Sequence, residues 1–299
     1  MTIERQLLYP RHWLTWCGIG LLWSLAHLPR RLSYALGAGI GNVFYCLAQR
    51  RRHICETNLR LCFPELSSAE FTLLVKKTMR NQGVGLMETL RVWFIAPEKL
   101  GVEFELIGKE HLEVPEGGSG IIIIATHFTS LDVCGTLVGG QYPSDSFYRK
   151  HKNPVFEYIL SRSRGRYGEP IHRRDIKRAL KRLREGRRLY YLPDQDYGRK
   201  SAEFVPFFGI PAATTIGTST LAKGGRARVV YANQQRLDSG RRYRVEIIPM
   251  DNFPSGDPVA DARAINAILE ENILMVPEQY MWVHRRFKTR PVGEAGFYE

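Results

Sequence analysis

Acid is in short supply in this chain. Its 299 residues hold 30 Asp and Glu against 43 Lys and Arg, a net charge of +13. Such an imbalance calls for an anionic partner: nucleic acid, a membrane surface, a phosphorylated substrate or an acidic protein. Cysteine is scarce as well, with five residues at 17, 46, 55, 62 and 134 and no C-x-x-C pair. Both facts count against a disulfide framework and a zinc ribbon, and a reducing compartment is favoured. There is no Walker A motif, and Gly37-Ala38-Gly39-Ile40-Gly41 lacks the last glycine of a dinucleotide fingerprint. No G-x-S-x-G elbow is present, which argues against a covalent serine route; Ser119 precedes the strand it would have to follow. Signatures of RRM, helix-turn-helix and zinc-finger modules are missing too, so the basic charge has no nucleic-acid motif behind it. Repeats, low-complexity tracts and Pro/Gly/Ser linkers are absent. With 44% hydrophobic and 24% charged residues, the remainder is an ordinary globular balance.

The longest apolar run lies near the start. From His12 to Leu28 there is no Asp, Glu, Lys or Arg, and Trp13, Trp16 and Trp23 suit an interface. Seventeen residues approach the roughly 20 needed to cross a bilayer, and no small-x-small cleavage site follows. A single N-terminal membrane helix is expected, with residues 1–50 as anchor and membrane-proximal segment and 51–299 as the main domain. Arg30, Arg31, Arg50, Arg51 and Arg52 outnumber Arg5 and Arg11, which puts the downstream domain on the cytoplasmic side. Leu32 to Ala48, with Gly37, Gly39, Gly41 and Asn42, reads as a packed or membrane-skimming helix.

Beyond residue 50 strands and helices alternate. Helical spacing over 66–96 ends at Pro97, and Ile121-Ile122-Ile123-Ile124-Ala125 reads as a strand covered on both faces. Ile176, Ala179, Leu180 and Leu183 give one apolar face to a helix that Gly186 ends. Strands follow at Leu189–Leu192, Val229–Ala232 and Tyr243–Ile248, then a helix over 261–275. This order predicts an α/β fold with a mostly parallel central sheet flanked by helices.

Directly after the isoleucine strand comes Thr126-His127-Phe128-Thr129-Ser130-Leu131-Asp132. Ligands of open α/β sheets bind beyond the carboxyl ends of strands, where His127 falls. Ser130 is placed to cap a helix starting at Leu131, with Asp132 in its first turn. A carboxylate there can hold one imidazole nitrogen and leave the other to deprotonate an alcohol. The same residues have a plainer reading: Asp in a first turn suits the helix dipole, and H-x4-D is common by chance.

The flanking blocks narrow the choice. HFTSLD after an apolar strand is similar to the H-x4-D/E motif of lipid acyltransferases. Asn58 to Glu65 (NLRLCFPE), Tyr191 to Gly198 (YLPDQDYG), Phe204 to Gly209 (FVPFFG) and Pro277 to Lys288 (PEQYMWVHRRFK) resemble blocks of the bacterial late lipid A acyltransferases. The resemblance is strongest to the lauroyl/palmitoleoyl branch. It implies a glycerolphosphate-acyltransferase-like fold and transfer of a fatty acyl chain from acyl carrier protein to a hydroxyacyl hydroxyl. The acceptor it implies is a Kdo-bearing tetraacyl lipid A precursor. His127 would be the base and Asp132 the residue that orients it, where some members carry Glu. No cofactor and no metal are implied, and the partners would include anionic lipids of the inner membrane but no nucleic acid. An acceptor such as glycerophosphate would keep the chemistry, and a non-enzymatic basic adaptor is the alternative of a different class.

Between Arg149 and Arg188 stand fifteen basic residues against four acids, an excess that nearly accounts for the whole chain's charge. Arginine forks suit phosphate and carboxylate. Asn153-Pro154 followed by Arg164 matches the family pattern, making Arg164 the favoured active-site cation and Arg149 a weaker one. Asp194, Gln195 and Asp196, just past a predicted strand, belong by resemblance to the acceptor-binding block; their plainer role is a turn after Pro193. Arg285 and Arg286 are expected to hold a phosphate or anchor the domain to head groups.

Overall fold

The computed structural model describes residues 5–298. Helix α1 spans Trp13–Ala26 and α2 spans Arg30–Leu47, with Pro29 between them. Here the expectation of a membrane-spanning helix fails. Fourteen residues at 1.5 Å each make α1 about 21 Å long, against roughly 30 Å of hydrocarbon. No helix among the described residues is long and apolar enough to cross a membrane. The chain turns at His27-Leu28-Pro29 instead of continuing.

Helix α2 packs along α4, Ser68–Phe94, after the short α3, Gln49–Cys62. Gly37 and Gly41 of α2 meet Gly83 of α4 so closely that a Cβ on Gly83 would lie 2.1 Å from the Gly37 carbonyl oxygen. The glycines at 37 and 41 are therefore a helix crossing, as the packed-helix reading expected, while Gly39 faces open space. Ser67 caps α4 in a reciprocal box with Glu70, and Pro97 follows its end.

The sheet is assembled from strand β1 (Glu103–Ile107), β2 (Ile121–Ile124), β3 (Ser144–Tyr148), β4 (Pro170–His172), β5 (Arg188–Tyr191), β8 (Arg228–Leu237) and β9 (Arg242–Pro249). Its order is β1-β9-β8-β2-β5-β3-β4, parallel at every pairing except β8 with β9. Helices α5 (Leu131–Gln141), α6 (Pro154–Arg164), α7 (Ile176–Arg184) and α8 (Gly217–Gly225) connect strands, and α9 (Pro258–Met275) follows the sheet. A separate hairpin of β6 (Ala202–Phe207) and β7 (Ile210–Thr215) turns at Phe208-Gly209, both at positive φ. The mostly parallel α/β sheet predicted from the alternation is present.

The four isoleucines of β2 are fully buried and alternate between two cores. Ile122 and Ile124 enter one with Leu59, Leu183 and Trp282; Ile121 and Ile123 enter the other with Val133, Leu137 and Val245. Each such side chain contributes about 1.5–3 kcal/mol. That burial locks the register of the central strand, and so the position of the residues that leave its end.

Candidate functional site

His127 leaves the carboxyl end of β2, and Asp194 leaves that of its neighbour β5. The ladder pairs Ile124 with Tyr191, so these two residues, each three positions further on, emerge side by side. Asp194 Oδ1 lies 2.6 Å from His127 Nδ1, and Oδ2 accepts the His127 backbone N–H at 2.9 Å. The carboxylate is 1% exposed and the imidazole 21%. Burial alone would lower the histidine's pKa, but the Asp194 charge and hydrogen bond outweigh it and raise the value. Burial likewise works to raise Asp194, and His127 overrides it, holding the carboxyl below its ordinary range. Both shifts favour an imidazolium–carboxylate pair.

This corrects the expectation that Asp132 orients the imidazole. Asp132 does lie in the first turn of α5, but its Oδ2 accepts from the Thr89 hydroxyl of α4 at 2.7 Å. It acts on His127 through its charge, as a lesser influence than Asp194. The anticipated Ser130 cap is not formed either; its hydroxyl is buried without a partner.

The loop 126–130 is fastened on every side. The Gln234 side chain donates to the Thr126 carbonyl at 2.6 Å, Met281 N–H to the His127 carbonyl at 3.0 Å, and Thr129 N–H to the Gln279 carbonyl at 2.8 Å. In front of it opens a cleft of about 660 Å³, a size that suits a lipid chain or a drug-sized ligand. His127, Asp132 and Arg164 line it together with apolar Phe44, Leu86 and Met281. Arg164 is the last residue of α6 and its side chain is exposed.

Other expected residues go elsewhere. Arg149 is exposed at the end of β3 and is not part of the cleft wall. Gln195 is half-buried beside Asp194. Asp196 is buried and accepts from Thr289 N–H, the Thr289 hydroxyl and Gly198 N–H, so it ties down the C-terminal segment instead of meeting an acceptor. Arg286 contradicts its expected head-group role. It is 1% exposed and donates to the Ala213 carbonyl at 2.9 Å and the Thr214 hydroxyl at 2.9 Å. Arg285 lies over the Tyr298 ring. In the basic stretch, Arg178 and Arg182 are taken up by Glu169 and Asp145, while Arg173, Arg174 and Lys177 are exposed. Among the described residues, no three His, Cys, Asp or Glu side chains are grouped as metal ligands.

Sequence reasoning gave no part to Thr89, Arg236, Tyr280 or His284. Tyr280 and His284 stand near Asp194, burial holding the first well above and the second below its usual pKa. Both fall in the PEQYMWVHRRFK block, which was the only signal for them.

An α/β sheet that presents an imidazole–carboxylate pair to an apolar cleft can exchange a proton with a group held beside an apolar chain. The comparisons with known proteins give the family. The profile "Bacterial lipid A biosynthesis acyltransferase" matches residues 1–289, and the chain belongs to that family. It is 39% identical over 296 residues to the lipid A biosynthesis lauroyltransferase of Escherichia coli (strain K12), covering 98% of this chain and 97% of that one. It is 36% identical over 299 residues to the palmitoleoyltransferase of the same organism, covering 99% and 97%. Among solved structures, the 1-acyl-sn-glycerophosphate acyltransferase PlsC of Thermotoga maritima superposes at a TM-score of 0.39 and 12% identity, covering 83% of this chain and 97% of that one.

Proposed function

We propose that this acyltransferase moves a fatty acyl chain from acyl carrier protein to a hydroxyacyl hydroxyl of a Kdo-bearing tetraacyl lipid A precursor, with His127 as general base. The observation that carries the reading is the Nδ1–Asp194 contact of 2.6 Å on a histidine that lines the cleft. With Nδ1 donating to Asp194, Nε2 is left to take the acceptor's O–H proton. The oxygen then attacks the thioester carbonyl, the C–O bond forms, the C–S bond breaks, and the imidazolium returns a proton to the departing thiolate. A positioned base supplies about 10²–10⁴-fold, so alignment and oxyanion stabilisation must add the rest. Asp132, held by Thr89, supports the imidazolium by charge from the cleft side. Arg164 is the cation available to the oxyanion or to an acceptor phosphate.

The exposed Arg173, Arg174 and Lys177 suit an acidic carrier. Membrane attachment follows from a different surface. Trp13, Leu14, Leu21, Trp23, Leu32 and Leu47 are large apolar side chains exposed on α1 and α2, beside Arg30 and Arg31. Two such helices lying in the interface would hold the enzyme on the cytoplasmic face of the inner membrane without spanning it. Phe44 and Leu86, at the cleft wall, are exposed as well, so lipid chains can enter from that side.

The test is an assay with carrier proteins bearing C10 to C16 chains and the tetraacyl precursor, run on wild type and His127→Ala. Acylated product from the wild type and none from the variant is the expected result. Turnover near wild type in His127→Ala would refute the base assignment, and transfer only from a non-carrier thioester would refute the donor.

A further inference from the structure

Strand β8 carries a charge deep inside the protein. Arg236 is 5% exposed, and Glu88 of α4, also buried, meets it with both oxygens. Nε donates to Oε1 at 2.6 Å and Nη2 to Oε2 at 2.5 Å, while Nη1 donates to Asn81 Oδ1 at 2.5 Å. The Tyr243 hydroxyl donates to the same carboxylate. A buried ion pair is weak evidence for stability, because desolvation offsets most of its attraction and apolar side chains of like volume often do as well. An apolar pair could not, however, reach the loop. Nη2 also donates to the Thr129 hydroxyl at 2.9 Å, two residues past His127.

The Arg236 backbone joins the same loop by a second route. Its N–H donates to Gln279 Oε1 at 2.9 Å and its carbonyl accepts from Gln279 Nε2 at 3.0 Å. The Gln279 carbonyl in turn accepts from Thr129 N–H. On the opposite side α4 leaves no slack, since a Cβ on Gly85 would stand 2.7 Å from the Thr129 carbonyl oxygen. The loop is pressed between a helix backbone and a planar guanidinium whose bonds allow it one orientation.

We propose that Arg236 and Glu88 are positioning residues for acyl transfer: through Thr129 they hold loop 126–130 so that His127 stays on Asp194. The inference rests on His127 being the base. Neither residue lines the cleft, whereas Thr129, which Arg236 holds, does. Lysine would keep the charge but not the planar fork, so it could not serve Glu88, Asn81 and Thr129 together.

Thr129→Val removes the one hydroxyl that links the pair to the loop and keeps the side chain's shape. It is expected to lower kcat per folded molecule by about 10- to 100-fold, the scale of a displacement near 1 Å, with KM for the acceptor within about two-fold. Thr129→Ser restores the hydroxyl and should recover most of kcat. Glu88→Gln and Arg236→Lys should show the same kcat-selected loss per folded molecule. Combining Thr129→Val with Arg236→Lys should cost no more than the worse single change. Wild-type kcat in Thr129→Val, or losses confined to melting temperature in the other two, would overturn the proposal. His127→Ala run alongside separates the outcomes: if it retains activity, the base reading has failed; if it is dead while Thr129→Val is unaffected, the positioning role has.

Discussion

Replacing Asp194 with Asn changes one atom in the heart of the site and should separate charge from shape. The amide has one oxygen for two donors, so it can serve either Nδ1–H or the His127 backbone N–H that Oδ2 holds at 2.9 Å, and not both. The 2.6 Å contact to Nδ1 loses its charge. A hydrogen bond to a charged group contributes about 1.5–3 kcal/mol, and about 1.4 kcal/mol is tenfold in rate. That loss alone gives roughly 10- to 100-fold. If the amide oxygen instead keeps the backbone N–H, its NH₂ faces Nδ1, the ring is forced into the tautomer with Nε2 protonated, and the loss extends toward about 10⁴-fold, as in serine-protease triads.

The pH dependence gives a second readout. His127 must be neutral to act as a base, and Asp194 raises its pKa, so activity in the wild type climbs with pH through a value above 6.5. Without the Asp194 charge, burial dominates and the limb moves below that point. The pair's contribution to stability has the opposite sense. His127's raised pKa gives stability that is fully present below its unfolded value and fades as pH rises through the folded one. Asp194's lowered pKa gives stability present above its unfolded value and lost as pH falls through the folded one. The wild type therefore gains most between about pH 4 and 6.5, a gain that Asp194→Asn loses. Steady-state kinetics from pH 5 to 9 with parallel thermal melts would check this. A variant within three-fold of wild-type kcat and with an unmoved limb would refute the assignment of Asp194 to His127.

Other expectations follow from single contacts. Arg164→Ala should reduce kcat/KM by ten-fold or more without lowering the melting temperature, because the side chain is exposed at the cleft; Arg286→Met should do the reverse. That second change leaves the buried Ala213 carbonyl unpaired, a loss of about 1–3 kcal/mol visible in denaturant titration. Gly83→Ala drives a methyl into the Gly37 backbone and should destabilise by about 1–3 kcal/mol or more in the same titration. Leu14→Glu with Leu47→Glu should weaken sedimentation with anionic vesicles while leaving the melting temperature alone, since both side chains are among the most exposed apolar groups; unchanged binding would remove α1 and α2 from the membrane surface.

Much of the fold was legible from local pattern. Alternating elements foretold a mostly parallel sheet, the helical spacing over 66–96 is α4 with Pro97 after its end, and the isoleucine run is a doubly covered strand. The membrane helix failed because hydropathy counts apolar residues but not where a chain turns; the turn before Pro29 ends α1 after 14 residues. Arg286 and Asp196 were read as ligand contacts because charge in a shared block looks alike whether it faces solvent or the core.

Periodicity and spacing alone were enough to identify the sheet, the loop that carries His127 and the acidic residue five positions beyond it. Which carboxylate would hold the imidazole was beyond their reach, since that depended on β5, 67 residues downstream of β2 in the ladder, lying next to it. Strand adjacency is a property of the assembled sheet and leaves no mark on the residues at either end. The same holds for Arg236, whose partners come from a helix, a loop and the C-terminal segment, and which meets them only once three distant stretches of chain have been packed together.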